Sequence, residues 1–486
     1  MNATHPPRLF VSLLALLLLV SACSESDDLD IATTADASVS VAGGSSGSAS
    51  ASETADVADA KDADGSTVER GIDEVEMVEE SEAAAFAGED MAESATAELA
   101  TAESVPPVDG DVAEPLPPIE PEPQPEPQAG QLTAADIDDN LNLGSFADLV
   151  ANWQQDAGAG VPFVNLRDRV VIDLVSGNGV GVGNTSIMVT AGQESRAVVT
   201  NSAGRAYLYP GWLGLDVGGG AQLTIGDTQQ TVTADQLDSG RLELEIDGDT
   251  SPPSSLDVAL VLDVTGSMAD ELRYLTVEFE SIVARVEDDY GNVDLRFALV
   301  VYRDDGDAFV TRTFDFTNDA GQMRRWLSDQ AAGGGGDFPE AMDAALTDAE
   351  SLSWRDGEDV ARVLILNADA PPHEPRIEST FASARALGED GVRLYPLAAS
   401  GVDRTAEFLM RAMAVTTGGR HLFLTSDSGI GGEKLEPKAD CYVVTRLDDL
   451  LYRILASELA GERIEPAAEQ IIRSVGEYDR GVCGGQ

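Results

Sequence analysis

The residues best suited to chemistry in this sequence are carboxylates and hydroxyls that follow apolar runs. One run ends in the segment DVTGS, in which Asp263, Thr265 and Ser267 alternate along the chain. A later run ends before Asp369, and a glycine-rich segment between the two runs leads into Glu340. Ligands of open α/β sheets bind beyond the carboxyl ends of the strands, so these side chains can meet at one point. Their oxygens suit a small hard cation, which favours a divalent metal site with open coordination positions.

The elements that would position these residues alternate between strand and helix from residue 254 onward. The run LDVALVL (256–262) is continuously apolar, as a strand buried on both faces requires. The next segment carries apolar residues at helical spacing, and further strand and helix patterns follow in turn. This alternation predicts an α/β fold with a doubly wound, mostly parallel sheet over residues 254–426.

The segments on either side of this α/β domain follow other patterns. Residues 168–250 contain short β-rich runs separated by glycine-rich turns, which predicts a small antiparallel β-sandwich. Residues 131–167 before it are expected to be a helical or loop lead-in. Residues 427–486 contain an amphipathic run (447–459) and are expected to be a helical tail that docks on the α/β domain.

The beginning of the chain predicts export. An apolar run at residues 9–22 is too short to span a bilayer, so residues 1–22 are expected to be a signal peptide. The tetrad VSAC that ends at Cys23 resembles the lipobox of bacterial lipoproteins, which implies a lipid on this cysteine and a membrane anchor. An ordinary signal with an incidental cysteine is the alternative. The anchor predicts a place in the bacterial cell envelope, at the outer membrane or the cell surface.

The charge of the chain limits the kinds of partner that it can bind. The 486 residues carry 87 acidic and 30 basic side chains, a net charge of −57, which argues against a nucleic-acid partner. Residues 24–130 hold 28 acids and two bases, so residues 23–130 are expected to be a disordered, acidic and proline-rich tether.

In an oxidising space Cys441 and Cys483 are expected to form a disulfide, with two free buried thiols as the alternative.

The segments that carry the carboxylates resemble the von Willebrand factor A family and its metal-ion-dependent adhesion site. The family pattern D-x-S-x-S is kept here with Thr265 as the first hydroxyl. A closer resemblance is to the I-like domain of integrin β subunits, whose D-L-S-x-S-M-x-D-D-L corresponds to DVTGSMADEL and whose D-x-P-E corresponds to DFPE (337–340). The β-rich segment resembles carboxypeptidase-regulatory-like or transthyretin-like domains through TNSAGRAYL (200–208).

The resemblance implies roles for the residues of the central site. Thr265, Ser267 and Glu340 would contact the metal directly, and Asp263 and Asp369 would act mostly through water. The ion would be Mg²⁺, or else Ca²⁺ or Mn²⁺.

The resemblance also implies two flanking metals. Asp270 and Glu271 correspond to ligands of an adjacent metal. Asp304, Asp337 and the carbonyl of Pro339 correspond to ligands of a third metal.

An octahedral cation held by neutral hydroxyls and few carboxylates keeps net positive character, so an acidic side chain of a partner can complete its coordination. We therefore expect a metal-dependent protein-binding module for adhesion or envelope scaffolding, with a partner that exposes Asp or Glu. We expect neither an enzyme nor a binder of small-molecule substrates.

The alternatives are a metal-dependent hydrolase with His373 as its base, and a structural envelope protein with a vestigial site. An acid from the chain's own tether or tail is the alternative partner. His421 is expected to be structural.

Overall fold

The computed structural model describes residues 126–156, 168–247, 252–336 and 338–484. The predicted signal peptide, the lipid site at Cys23, the tether up to residue 125 and Asp337 lie outside the described residues.

The strands have the following bounds: β1 Thr133–Ile137, β2 Val170–Ser176, β3 Ser186–Ala191, β4 Glu194–Val199, β5 Arg205–Leu208, β6 Ala221–Ile225, β7 Thr228–Val232, β8 Arg241–Ile246, β9 Ser255–Asp263, β10 Asp294–Tyr302, β11 Thr311–Thr317, β12 Val360–Ala368, β13 Val392–Ala398, β14 His421–Leu424, β15 Tyr442–Arg446, β16 Arg473–Val475, β17 Tyr478–Asp479 and β18 Val482–Cys483. The α-helices are α1 Leu143–Asp156, α2 Pro210–Leu213, α3 Ala234–Asp238, α4 Ala269–Asp289, α5 Ala320–Ser328, α6 Met342–Glu350, α7 Ile377–Glu389, α8 Arg404–Thr417 and α9 Leu447–Ala460. Among these helices, none is both long and apolar enough to cross a bilayer.

A central sheet holds the site-bearing part of the molecule together. In the described residues it has nine strands in the order β11-β10-β9-β12-β13-β14-β1-β15-β16. The run from β10 to β14 is parallel, and the outer strands join it antiparallel. One apolar layer packs the sheet against α6, α7 and α8, and another packs the opposite face against α4, α5 and α9. The predicted α/β class with a doubly wound, mostly parallel sheet is confirmed.

Strand β1 lies in the stretch expected to be a helical or loop lead-in, and it differs from that expectation. It enters the sheet between β14 and β15, where Ala135 pairs with Phe423. Asp136 is buried there, and Arg420 and Arg463 each place a nitrogen 2.8 Å from its carboxylate. Burial alone would raise the pKa of Asp136, but the two arginines hold it well below its usual range. The sequence pattern did not predict this strand, because the strands that pair with it lie nearly 300 residues away in the chain.

The C-terminal region is likewise more than a helical tail. Helix α9 matches the predicted amphipathic run, but β15 and β16 extend the central sheet beyond residue 426. Cys441 and Cys483 form the predicted disulfide, with their Cα atoms 5.3 Å apart.

The β-rich segment forms two sheets, with strand orders β5-β2-β8 and β4-β3-β6-β7, around a shared apolar core. The expectation of an antiparallel sandwich is wrong for one pair, because β2 and β8 run parallel. Parallel neighbours need a long connection, and the strands between β2 and β8 supply it. Arg393 of β13 donates to the carbonyl of Thr200 and to Oδ1 of Asn184, which fixes this sandwich to the central sheet.

Replacing both Cys441 and Cys483 with serine should lower the free energy of unfolding. The bridge spans a sequence separation of 42 residues, and losing a closure of that size costs about 4 kcal/mol. Urea unfolding without reductant would measure the loss. Wild-type protein in dithiothreitol should lose a similar amount, and the double variant should not respond to dithiothreitol. Equal unfolding midpoints for wild type and variant would contradict the prediction.

Candidate functional site

The candidate site lies where β9, β10 and β12 end at one edge of the sheet. In the parallel register Asp263 is opposite Tyr302, and Leu262 is opposite Asn367. Asp369, two residues beyond Asn367, therefore emerges beside the end of β9. Strand β9 lies between β10 and β12 in the sheet. The chain therefore places the next parallel strand, β10, on one side of β9 and the later strand β12 on the other side. Such a switch point opens a crevice at the carboxyl ends of the strands.

The DVTGS segment folds its polar side chains toward one another. The backbone N–H of Thr265 donates to Oδ1 of Asp263 over 2.8 Å, and the Thr265 hydroxyl donates to the same oxygen over 2.7 Å. The hydroxyls of Thr265 and Ser267 are 3.0 Å apart. A short 3₁₀ turn at Gly266–Met268 then leads directly into α4. The predicted convergence of these three side chains is thus present.

Glu340 reaches the same point from the glycine-rich segment. Its N–H donates to the carbonyl of Pro371 over 3.0 Å, which ties it to the loop after Asp369. Gly335 has a φ of +71°, and a Cβ on it would lie 3.0 Å from Oε1 of Glu340 and 3.4 Å from Cβ of Thr265. A side chain at this position would be strained and crowded. Glycine therefore allows the loop to bring Glu340 against Thr265.

Several oxygens at this point are buried and have no hydrogen-bond partner among the described residues. They are Oδ2 of Asp263, Oε2 of Glu340, Oδ1 of Asp369, Oδ1 of Asn367 and the hydroxyl of Tyr302. Buried polar atoms are normally paired, because an unpaired one loses its hydration without replacement. Carboxylate oxygens that lack donors, next to two hydroxyls, are the donor set that a hard cation requires. The residues present therefore fit a divalent metal.

Electrostatics at the site point the same way. Burial raises the pKa of Asp263 to about 7, and the neighbouring charge of Asp369 adds to the shift. Burial raises the pKa of Glu340 to about 9, followed by repulsion from Asp263 and Asp304. Burial also raises the pKa of Asp369. Without a cation, these groups resist becoming charged together.

The flanking carboxylates have other partners. Glu271, expected at an adjacent metal, accepts hydrogen bonds from the N–H and hydroxyl of Ser400 and lies 3.2 Å from the ammonium of Lys434. Asp304, expected at a third metal, lies 2.6 Å from Nε2 of His373. These pairings do not match the two flanking metal sites that the resemblance implies.

Three further residues, Asp270, Asp337 and Pro339, are expected at the flanking metal sites. The side chain of Asp270 and all of Asp337 lie outside the described residues, and Pro339 is half-buried. Counting only His, Cys, Asp and Glu, the described part of the chain contains no group of three that could hold a metal. Any ion at the central site would therefore depend on the hydroxyls of Thr265 and Ser267 as well.

Sequence reasoning missed Tyr302, Ser400 and Lys434, and it placed Asn367 at the end of a strand near the site without giving it a role. Tyr302 and Asn367 are polar residues near the carboxyl ends of apolar strands, a signal that was available. Lys434 is one of only three lysines in the sequence, but no sequence motif connects it with Glu271.

His421, expected to be structural, is fully buried in β14. Burial holds its pKa well below the usual value, so it stays neutral.

Comparison with known proteins supports the resemblance at the level of the domain. Residues 257–384 match the sequence profile of the von Willebrand factor A domain. An ariadne-like RING finger protein of Acanthamoeba polyphaga mimivirus is 29% identical over 189 residues, which is 35% of this chain and 18% of that protein. The alpha-protein kinase vwkA of Dictyostelium discoideum is 27% identical over 140 residues, covering 29% of this chain and 22% of that protein. The chain thus spans less than a quarter of either relative.

Two solved structures align with the fold at low similarity. BatB from Bacteroides thetaiotaomicron is 14% identical with a TM-score of 0.30, covering 42% of this chain and 98% of that one. The pilus adhesin SpaC from Lactobacillus rhamnosus GG is 12% identical with a TM-score of 0.31, covering 44% of this chain and 30% of that one. Neither score is high enough to bear on function. On the sequence match and the α/β architecture, this chain contains a von Willebrand factor A domain.

Proposed function

We propose that this chain is a protein-binding module that uses a divalent ion, Mg²⁺ or else Ca²⁺ or Mn²⁺, to bind an acidic side chain of a partner protein. The observation that carries the proposal is the set of buried carboxylate oxygens on Asp263, Glu340 and Asp369 that lack hydrogen-bond partners among the described residues. A cation would satisfy these oxygens and offset both the burial and the mutual repulsion that raise their pKa values.

The donor set favours binding of a ligand over full enclosure of the ion. Thr265 and Ser267 contribute neutral oxygens, so an ion held by them and by Glu340 would keep net positive character. The resemblance implies that Asp263 would act on the ion mostly through water. Its Oδ1 already accepts two hydrogen bonds from Thr265, which leaves Oδ2 to accept one from that water. When bound, the ion would supply a positive centre to which a carboxylate can coordinate. The acidic remainder of the chain would repel other acidic surfaces, which makes this centre selective.

We propose no catalytic role for the site. His373 is the candidate general base near the site in the described residues; it is half-buried, and its Nε2 lies 2.6 Å from Oδ1 of Asp304. A phosphatase of the aspartyl-phosphate type would need a second aspartate at the position of Thr265. Dependence of any esterase or phosphatase activity on His373 would overturn this part of the proposal.

We further propose that the module is lipid-anchored in a bacterial envelope and that its acidic tether holds the folded part away from the membrane. Support for the anchor comes from the apolar run and the lipobox-like tetrad at Cys23, which are features of the sequence. The disulfide between Cys441 and Cys483 is compatible with an oxidising compartment. Metabolic labelling with a radioactive fatty acid would test the anchor, and Cys23→Ala should abolish the label.

Addition of Mg²⁺ should stabilise the protein more at alkaline than at acidic pH. The raised pKa values of Asp263 and Glu340 mean that metal-free protein loses stability as pH rises from about 4 through these values. The ion cancels this loss, and a hundredfold excess over its dissociation constant is worth about 2.7 kcal/mol. Calorimetric melting near pH 5.5 and near pH 8.5, in EDTA and in Mg²⁺, would measure the difference.

The matched variants for this experiment are Asp263→Asn, which should abolish the response to Mg²⁺, and Asp288→Asn, which should keep it. Asp288 is an exposed aspartate near the far end of α4. An equal response to Mg²⁺ at both pH values, or a full response in Asp263→Asn, would count against metal binding at this site.

Binding of a partner should require both the ion and the site. We expect the immobilised protein to capture a partner from envelope extract in the presence of Mg²⁺. This capture should be lost in EDTA and with Asp263→Ala, because the carboxylate of the partner then has no cation to bind. A loss of at least tenfold in affinity corresponds to about 1.4 kcal/mol. Asp288→Ala serves as the control and should bind normally. Capture that is unchanged in EDTA would reject the mechanism.

A further inference from the structure

Lys434 places a buried ammonium among oxygen atoms beside the candidate site. Its side chain is 2% exposed, and its Nζ lies 3.2 Å from Oε1 of Glu271. The same nitrogen donates to the carbonyl of Gly432 over 3.3 Å and to the carbonyl of Ile430. A buried ammonium is costly unless it is paired and hydrogen-bonded, and Lys434 meets both conditions.

The backbone around Lys434 is shaped to receive the Glu271 carboxylate. Gly431 has a φ of +77°, and a Cβ on it would lie 2.4 Å from Oε1 of Glu271 and 2.9 Å from the hydroxyl of Ser400. Only glycine allows this approach without displacing these oxygens. The N–H of Ser400 donates to Oε2 of Glu271 over 3.1 Å, and the N–H of Gly401 donates to the carbonyl of Glu433 over 3.0 Å. Glu271, in the first turn of α4, is therefore held by Lys434 from one loop and by Ser400 from another, and the two loops are joined to each other.

The oxygens around this ammonium are one carboxylate and two backbone carbonyls, a donor set that a hard divalent cation also accepts. Glu271 is a residue for which the resemblance implies an adjacent metal. We propose that the ammonium of Lys434 takes the place of that second ion, so that this protein binds one divalent ion at the central site and none at Glu271. The count of one at the central site rests on the proposed function, whereas the replacement at Glu271 does not.

A covalently attached cation has a consequence for how the loop is held. Ser267 lies just before the start of α4, and Glu271 lies in the first turn of that helix. Lys434 therefore positions the helix start next to the central site whatever the metal concentration. An exchangeable ion at the same place would release the loop when metal is scarce.

Titration of the purified protein with Mn²⁺, followed by calorimetry, tests the proposal. Wild type should bind one equivalent. Lys434→Met should bind two, because the freed Glu271 carboxylate and loop carbonyls then accept an ion, and Lys434→Met combined with Glu271→Gln should return to one. Lys438→Met is the matched control, since Lys438 is an exposed lysine of the same loop, and it should bind one.

Two equivalents in wild type, or no added equivalent in Lys434→Met, would overturn the proposal. If wild type binds no Mn²⁺, the proposed function fails, but Lys434→Met should still gain one equivalent over wild type. Urea unfolding provides a second readout that does not use metal. Lys434→Met, Glu271→Gln and the double variant should shift the midpoint in EDTA by similar amounts, whereas additive shifts would show that the two side chains act independently and would overturn the pairing.

Discussion

The burial of several carboxylates at the carboxyl ends of β9 and β12 is the constraint on which the site depends. Asp263 and Asp369 are brought together by strand register, and Glu340 is brought to them by a loop that needs glycine at position 335. Each group loses hydration, and each raises the cost of ionising the others. A cluster of buried carboxylates that costs this much stability is typical of a functional site.

Elsewhere in the described residues, several buried acids are paired with basic side chains, whereas Glu278 instead accepts hydrogen bonds from the backbone N–H groups of residues 130–132. Asp257 lies 2.6 Å from nitrogens of both Arg296 and Arg355, and Asp139 lies 2.6 Å from Arg411. The pairs formed by Asp136 and Glu271 follow the same pattern. By contrast, no salt bridge to Asp263, Glu340 or Asp369 occurs within the described ranges. Within the part of the chain that the structure describes, basic side chains pair with these other carboxylates and none pairs with the central group.

This distribution connects the fold with the proposed function. Under the proposed function, basic side chains neutralise carboxylates such as Asp257 and Glu271, and the central carboxylates are left to hold an exchangeable ion. The same pairs bind distant segments together, since Arg411 joins α8 to the stretch before α1, and Lys434 joins the loop after β14 to α4. The sandwich is attached by hydrogen bonds from Arg393 to Asn184 and Thr200. A metal-dependent contact would thus be presented on a body whose segments are also joined by ion pairs that contain no metal.

The sequence determined the fold class and the central residues because both are local signals. Apolar strands such as residues 256–262 and helical spacing after them predict the α/β sheet, and DVTGS and Glu340 carry their chemistry in short motifs. The tertiary structure alone decided what depends on distant partners. Strand β1, the parallel pairing of β2 and β8, and the capture of Glu271 by Lys434 join residues far apart in the chain. Periodicity reports which residues are buried but not which segment lies beside them, so these contacts could be found only in three dimensions.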